Sequence, residues 1–297
     1  MSDRTAFIDA ILNNPNDDTA RLVFADWLEE HGEPERAEFI RVQIEPAKAS
    51  DAVRERNDPG ARTSGAHGAA MGGGWRKAIG ISETEGEYVR GFLTGVEVHS
   101  TDVLRLTGYA LAFEPIEFVL QLRARHLDGT AVSHSEVETL AASPHLRAVK
   151  TLTAGNKYNQ ERNFGPDRFA LLMKSPYLIN LRLVAVIETG LGSAAVAAIV
   201  ESSAQFALES LNLSQSLTFS PIAQTAIEQI ASSHRFTSLK RLSLQFNYLD
   251  SKAADALLAS RTLPSAMTVD AHGNNFTRRQ ISALAKRFAG DSDEERT

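Results

Sequence analysis

Between residues 92 and 275 the hydrophobic positions follow one recurring order: an apolar residue, two others, an apolar residue, one other, an apolar residue, then a polar turn. Leu178-x-x-Leu181-x-Leu183, Leu208-x-x-Leu211-x-Leu213 and Leu239-x-x-Leu242-x-Leu244-x-x-Asn247 are the clearest copies, with starts 30 and 31 residues apart. Leu93-x-x-Val96-x-Val98 and Ala266-x-x-Val269-x-Ala271-x-x-Asn274 extend the series on either side. Leu146-x-x-Val149 begins a copy that loses register at Thr151. Ile116-x-x-Val119 meets Gln121 in an apolar slot, where Phe118-x-Leu120-x-Leu122 is the alternative register. Short alternating runs predict strands, and a fixed period predicts a repeated unit rather than a single compact fold.

The stretches between these strands have helical spacing. Ala194–Val200 is short and apolar, Ile222, Ala226, Ile227 and Ile230 share a face, and so do Ala253, Ala256 and Leu257, then Ile281, Leu284, Ala285 and Phe288. Ser143-Pro144 and Ser175-Pro176 mark helix ends, because proline lacks an amide proton and disfavours helix in the residue before it. Each unit is therefore a strand, a turn and a helix. Strands stack about 4.8 Å apart while helices are about 10 Å wide, so the expected stack curves with a parallel sheet inside and helices outside. Asn247 and Asn274 are placed to bond the backbone at the turn after the strand. Hydroxyls at Ser216 and Thr101 stand in that role elsewhere.

The N-terminal segment has a different pattern. Phe7, Ile8, Ile11 and Leu12 predict a helix that stops at Asn13-Asn14-Pro15. Asp17 or Asp18 caps a second, whose apolar face is read as Leu22, Val23, Trp27 and Leu28 and which ends at Gly32. Pro34 opens a third, with Ile40, Ile44 and Ala47 on one side. The expected core of this head is Trp27. Residues 57–74, bracketed by Asn57-Asp58-Pro59-Gly60 and Gly72-Gly73-Gly74, read as a flexible linker, after which Trp75 and Ile79 return to the core. The expected organisation is a helical domain over 1–56, the linker over 57–74, a repeat domain with a C-terminal capping helix over 75–290, and a charged tail over 291–297.

Two resemblances follow from these residues. Phe7-Ile8-Asp9-Ala10-Ile11, the run from Asn14 to Gly32 containing Ala25-Asp26-Trp27-Leu28-Glu29, and Arg36-Ala37-Glu38-Phe39-Ile40-Arg41-Val42-Gln43 resemble the bacterial repeat-companion domain, a short module found ahead of leucine-rich repeats. Arg90-Gly91-Phe92 resembles that family's approach to its first strand. The repeats are similar to the strand–helix type of ribonuclease inhibitor, and their period lies within about two residues of the upper limit for leucine-rich repeats. The resemblance implies an α/β leucine-rich repeat solenoid with a small N-terminal helical domain, and a role in interaction. It implies no catalytic residues.

Composition sharpens this in three ways. The chain has 297 residues, 43% of them hydrophobic, and no cysteine, which removes disulfides, cysteine nucleophiles and thiolate metal sites. No stretch approaches the roughly 18 apolar residues of a membrane span, and Met1-Ser2-Asp3-Arg4 opens no signal sequence, so a cytoplasmic protein with no membrane contact is expected. The net charge of −6 is unevenly spread: residues 1–45 carry 11 acidic and 4 basic side chains, leaving +1 for the remainder. That balance lacks the basic footprint of a nucleic-acid binder.

No chemistry stands out. Trp75-Arg76-Lys77 follows the triple glycine where a phosphate loop needs Gly-Lys-Ser/Thr, there is no Gly-x-Ser-x-Gly elbow, and the eight histidines form no zinc pair. No cofactor, metal or catalytic residue is assigned. A non-enzymatic module binding a partner protein is expected. An enzyme or enzyme-regulatory subunit, and a nucleic-acid binder, are the alternatives. Two surfaces are candidates. One is the concave strand face, with Glu97 and His99, Arg182 and Val184, Asn212 and Ser214, Ser243 and Gln245, and Asp270 and His272. The other is the loop over 156–164, where Tyr158, Arg162 and Phe164 include the side-chain types that dominate binding hot spots.

Overall fold

The structure, a computed structural model, describes residues 3–14, 17–44, 87–94, 96–99, 118–122, 130–155, 164–217 and 221–288. The segments read as the linker (57–74), as the core residues Trp75 and Ile79, and as the tail (291–297) lie outside the described residues. The chain divides into two compact units, Met1–Val98 with Asp102–Val119 and His99–Thr101 with Leu120–Thr297.

Among its described residues the first unit has three helices, α1 (Asp3–Asn13), α2 (Asp18–Glu30) and α3 (residues 34–44). Asp17 caps α2 by accepting a bond from the Thr19 amide at 2.9 Å. Gly32, at φ +85°, follows its end. The buried face of α2 is Arg21, Phe24, Ala25 and Leu28, whereas Leu22 and Val23 are exposed. This corrects the expected face, and the centre of the core is Phe24, not Trp27. The reason lies outside the helix. Apolar residues at 22, 23, 24, 25, 27 and 28 offer more than one possible face, and the choice is made by a hairpin, β1 (Glu87–Val89) and β2 (Phe92–Thr94). Phe92 stacks on Phe24 with centroids 6.2 Å apart, and the Arg21 and Arg36 guanidinium groups sit 5.7 and 5.1 Å from its ring. Arg90 pairs with Asp18 at 3.1 Å. The turn requires Gly91: its φ is +83°, and a Cβ there would fall 2.6 Å from Ile40 Cα. The Arg90-Gly91-Phe92 motif thus belongs to a hairpin packed within the first unit.

The sheet runs in strict chain order: β3 (Val96–His99), β4 (Phe118–Leu122), β5 (Val149–Ala154), β6 (Leu183–Val186), β7 (Ser210–Asn212), β8 (Arg241–Ser243) and β9 (Thr268–Asp270). Pairing from β5 to β9 is parallel. Helices alternate with the strands: α4 (His134–Ala141), α5 (Pro166–Met173), α6 (Gly192–Val200), α7 (Pro221–Ser232), α8 (Ser251–Ala259) and α9 (Arg278–Phe288), each packed on the next. The class is α/β, with a parallel sheet and one helical layer. In β4 the alternative register is the one found, with Leu120 and Leu122 buried.

Pairing sets Leu152, Val184, Leu211, Leu242 and Val269 opposite one another, 32, 27, 31 and 27 residues apart. The first four have no exposed surface. The equivalent of Leu208-x-x-Leu211-x-Leu213 is therefore Leu181-x-x-Val184-x-Val186, three residues later than Leu178-x-x-Leu181-x-Leu183. The same slip explains the apparent loss of register at Thr151, since Val149-x-x-Leu152-x-Ala154 is a regular copy. Leu146 and Leu178 occupy a separate buried column ahead of the strand. Both columns are apolar and three residues apart, so the motif fits equally well in either place.

Two polar series recur along the repeats, and the first bonds neighbouring units together. Asn247, 2% exposed, accepts bonds from the Ser216 and Leu217 amides and donates to the Leu213 and Leu244 carbonyls, all at 2.9 Å. Asn274 repeats this one unit on, accepting from the Asn247 and Leu249 amides and donating to Leu244 and Ala271. The expected turn role of both asparagines is met. Ser216 occupies the same position and shares a 3.0 Å hydroxyl contact with Thr189. The second series consists of Ser143, Ser175, Ser202, Ser233 and Ser260. Each accepts a bond from the amide two residues on, at 3.2–3.3 Å, turning the chain from helix towards the next strand. The last helix, α9, buries Leu284 and Phe288 but leaves Ile281 exposed.

Candidate binding surface

Side chains alternate along a strand, so the residues flanking the buried centres share the face of the sheet away from the helices. In the observed register these are Thr151 and Thr153, Leu183 and Ala185, Ser210 and Asn212, Arg241 and Ser243, and Thr268 and Asp270. The middle of this face is thus apolar at Leu183, Ala185 and the following Ile187, all half-buried. It becomes polar towards β9.

The structure sorts the candidates. Glu97 and His99 lie on β3, and their side chains, like the whole of Tyr158 and Arg162, fall outside the described residues. Val184 is a core residue with 0% exposure, which corrects its expected place on the open face. Arg182 precedes β6 and lies in line with Lys150, Glu209 and Lys240. Its guanidinium is 3.8 Å from Glu209, which also holds Lys240 at 2.9 Å. It marks the edge of the sheet rather than the open face. Ser214 and Ser243 are 6% and 8% exposed and bond each other through their hydroxyls at 2.9 Å. They tie two neighbouring strand segments together instead of presenting groups to a partner. Phe164 is 1% exposed, a core residue and not a loop anchor. Asn212 remains on the open face, its Oδ1 accepting from the Ser214 amide at 3.0 Å.

Three candidates do converge. The Asp270 carboxylate accepts from His272 Nδ1 at 2.7 Å and from the Gln245 side-chain amide. Burial pushes the Asp270 carboxyl up, but the hydrogen bonds from His272 and Gln245 outweigh it and hold the group below the usual carboxylate range. The sign of the effect on stability follows. A carboxyl with a depressed folded value stabilises above its unfolded value, about 3.9, and that contribution is lost as pH falls through the folded value. Asp270→Asn should therefore melt below wild type at pH 7, with the difference closing in acid below about pH 3.9. A difference in melting temperature that is unchanged from pH 7 to pH 3 would contradict the assigned bonds.

The sequence pattern missed the aromatic rim of this cluster. Phe246 meets His272 edge-on with centroids 4.8 Å apart. Phe246 and Tyr248 are 47% and 62% exposed and flank the buried Asn247. Both have left-handed backbones, with φ +52° and +56°. The position of Phe246 is occupied in other units by Glu188 (φ +57°), Gln215 (φ +53°) and Gly273 (φ +72°). Gln215 donates to Glu188 at 3.3 Å, so this row also runs from unit to unit. The available signal was the pair of aromatic residues flanking the turn asparagine.

Among the described residues no group of three or more His, Cys, Asp or Glu side chains is arranged to hold a metal ion, and no helix is long and apolar enough to cross a membrane. The chain matches no family model, no curated protein and no solved structure.

Proposed function

We infer that the chain is a leucine-rich repeat protein of the ribonuclease-inhibitor type, headed by a helical unit resembling a repeat-companion domain, and that it binds a partner protein without catalysing a reaction. A cytoplasmic location belongs to the same reading. The observation that carries it is the unstaggered register from β5 to β9. It aligns solvent-facing side chains in columns, and a partner spanning several strands can gain many modest contacts from them. The asparagine ladder supports the repeat assignment, because a side chain that bonds the backbone of two successive units is needed only where units stack.

A photo-crosslinking residue at Asn212 tests this in the native host. A discrete crosslinked protein is expected from Asn212 and not from the same residue placed at Glu228 on the helical layer. Introducing arginine at Thr153 and Gln245 should abolish the crosslink without unfolding the chain. A crosslink that survives those changes, or that forms equally from Glu228, would reject the open face as the binding surface.

A further inference from the structure

Phe246 and Tyr248 sit where the fold itself asks for much less. Gly273 takes the position of Phe246 one unit on, and Gly190 takes the position of Tyr248 two units back, both with positive φ. Glycine meets such a backbone without steric cost, and Glu188 and Gln215 hold the Phe246 position with polar side chains, so nothing in the turn calls for an aromatic ring. Here two large rings occupy it and leave about half of their surface in water. Gly273 is in turn fitted to one of them, since a Cβ there would fall 2.3 Å from the Phe246 ring. The ring's position is thus set by close approach to Gly273 and by a perpendicular contact with His272.

Next to the Phe246 ring, across His272, lies an anion. Asp270 is 42% exposed at its side chain. Its carboxylate accepts from His272 and Gln245, and a carboxylate offers roughly four acceptor sites, so capacity remains on the solvent side. Aromatic faces attract cations through their quadrupole. The planar guanidinium group both stacks on such faces and bonds carboxylates, which a compact ammonium does less well.

We propose that Phe246, Tyr248 and Asp270 form a subsite for an arginine side chain of the partner protein. The proposal rests on the reading of the sheet's open face as a binding surface and names the chemistry recognised at its C-terminal end. The aromatic rings supply area and cation attraction, Asp270 supplies the charge, and His272 and Gln245 orient the carboxylate.

The probe is the capped peptide acetyl-Arg-Gly-Arg-Gly-Arg-amide, titrated into the full chain by calorimetry and followed by NMR of the aromatic rings. The same peptide with citrulline in place of arginine is the neutral control. Saturable arginine binding that shifts the Phe246 and His272 ring signals is expected, with citrulline at least about tenfold weaker, the equivalent of about 1.4 kcal/mol. Asp270→Asn should weaken binding, and so should the pair Phe246→Asn with Tyr248→Gly, by about two- to thirtyfold per ring. Asparagine and glycine suit a left-handed backbone, so the paired variant should keep its melting temperature, which a purely structural role for the rings would not allow. Gly273→Ala, which displaces the Phe246 ring while leaving it in the chain, should weaken binding as well.

The proposal is overturned if the ring signals do not move, or if citrulline binds as well as arginine. It is equally overturned if affinity is lost in Glu29→Gln with Glu30→Gln rather than in Asp270→Asn, which would place arginine on the acidic head. If Asp270→Asn and the aromatic variants leave the Asn212 crosslink intact, the open-face reading stands and the arginine subsite falls.

Discussion

Val184→Asp is expected to unfold the second unit, while Leu183→Asp, one residue earlier, leaves it folded. Val184 is wholly buried between Leu152 and Leu211 in the strand stack. An aspartate there loses the apolar contacts and places an unpaired charge in the core, at a cost of several kcal/mol. That is comparable with the entire stability of a typical domain, about 5–15 kcal/mol. Leu183 faces away from the helices and is half-buried, so the same substitution should cost less than about 1.5 kcal/mol. Circular dichroism melts of the two variants decide between registers. If Leu183→Asp unfolds the chain and Val184→Asp does not, the strand is placed one residue out and the buried and open positions of β6 exchange faces.

Asn247→Ala is expected to be the most damaging loss of a polar side chain. Its amide satisfies two backbone amides and two backbone carbonyls in two successive units. Each buried group left without a partner costs about 1–3 kcal/mol, so a loss of about 3 kcal/mol or more follows even with partial relaxation. For a unit of this size the melting temperature should fall by about 6–12 °C. Asn247→Asp should give no rescue, because it keeps the acceptor, loses both donors and buries a charge. Asn212→Ala provides the contrast: one bond at a half-exposed site, and a change within about 1 kcal/mol. Similar melting temperatures for Asn247→Ala and Asn212→Ala would show that the ladder carries no stability.

The strand–helix alternation could be read from the sequence because leucines recur at positions that two-residue periodicity marks as buried. The register of β6 could not. Leu178, Leu181 and Val184 are equally apolar and three residues apart, and the leucine motif by itself does not select among them. The serines would have resolved it. Ser143, Ser175, Ser202, Ser233 and Ser260 each precede the buried strand centre by nine residues, an offset that stays constant while the leucine motif slips. In the head the ambiguity was of another kind. The apolar face of α2 is chosen by Phe92, 68 residues beyond Phe24 in sequence, and no local pattern carries that information.

The binding surface was legible only where side chains are long. Gln245, Asp270 and His272 were found because they alternate with buried positions, and they do come together. Ser214 and Ser243 satisfy the same rule yet bond to each other, since a hydroxyl on one carbon reaches a neighbouring strand more readily than a partner. Phe246 and Tyr248 escaped notice because they follow the strand, where the backbone turns left-handed and two-residue alternation no longer says which way a side chain points.

The spacings along the central column alternate between long and short, so positions two strands apart are separated by 59, 58 and 58 residues. The short spacings also carry the turns with two left-handed residues, Glu188 with Gly190 and Phe246 with Tyr248. The structural period of the described sheet from β5 to β9 is thus a pair of strands with their helices. Duplicating or deleting one strand and its helix would set two long or two short connections side by side and disturb the packing of neighbouring helices. A change of two strands preserves the alternation, both polar series and the contact of every helix with its neighbour. The insertion or deletion that this packing tolerates best is therefore one of 58 residues, the separation of Val184 from Leu242 and of Leu211 from Val269.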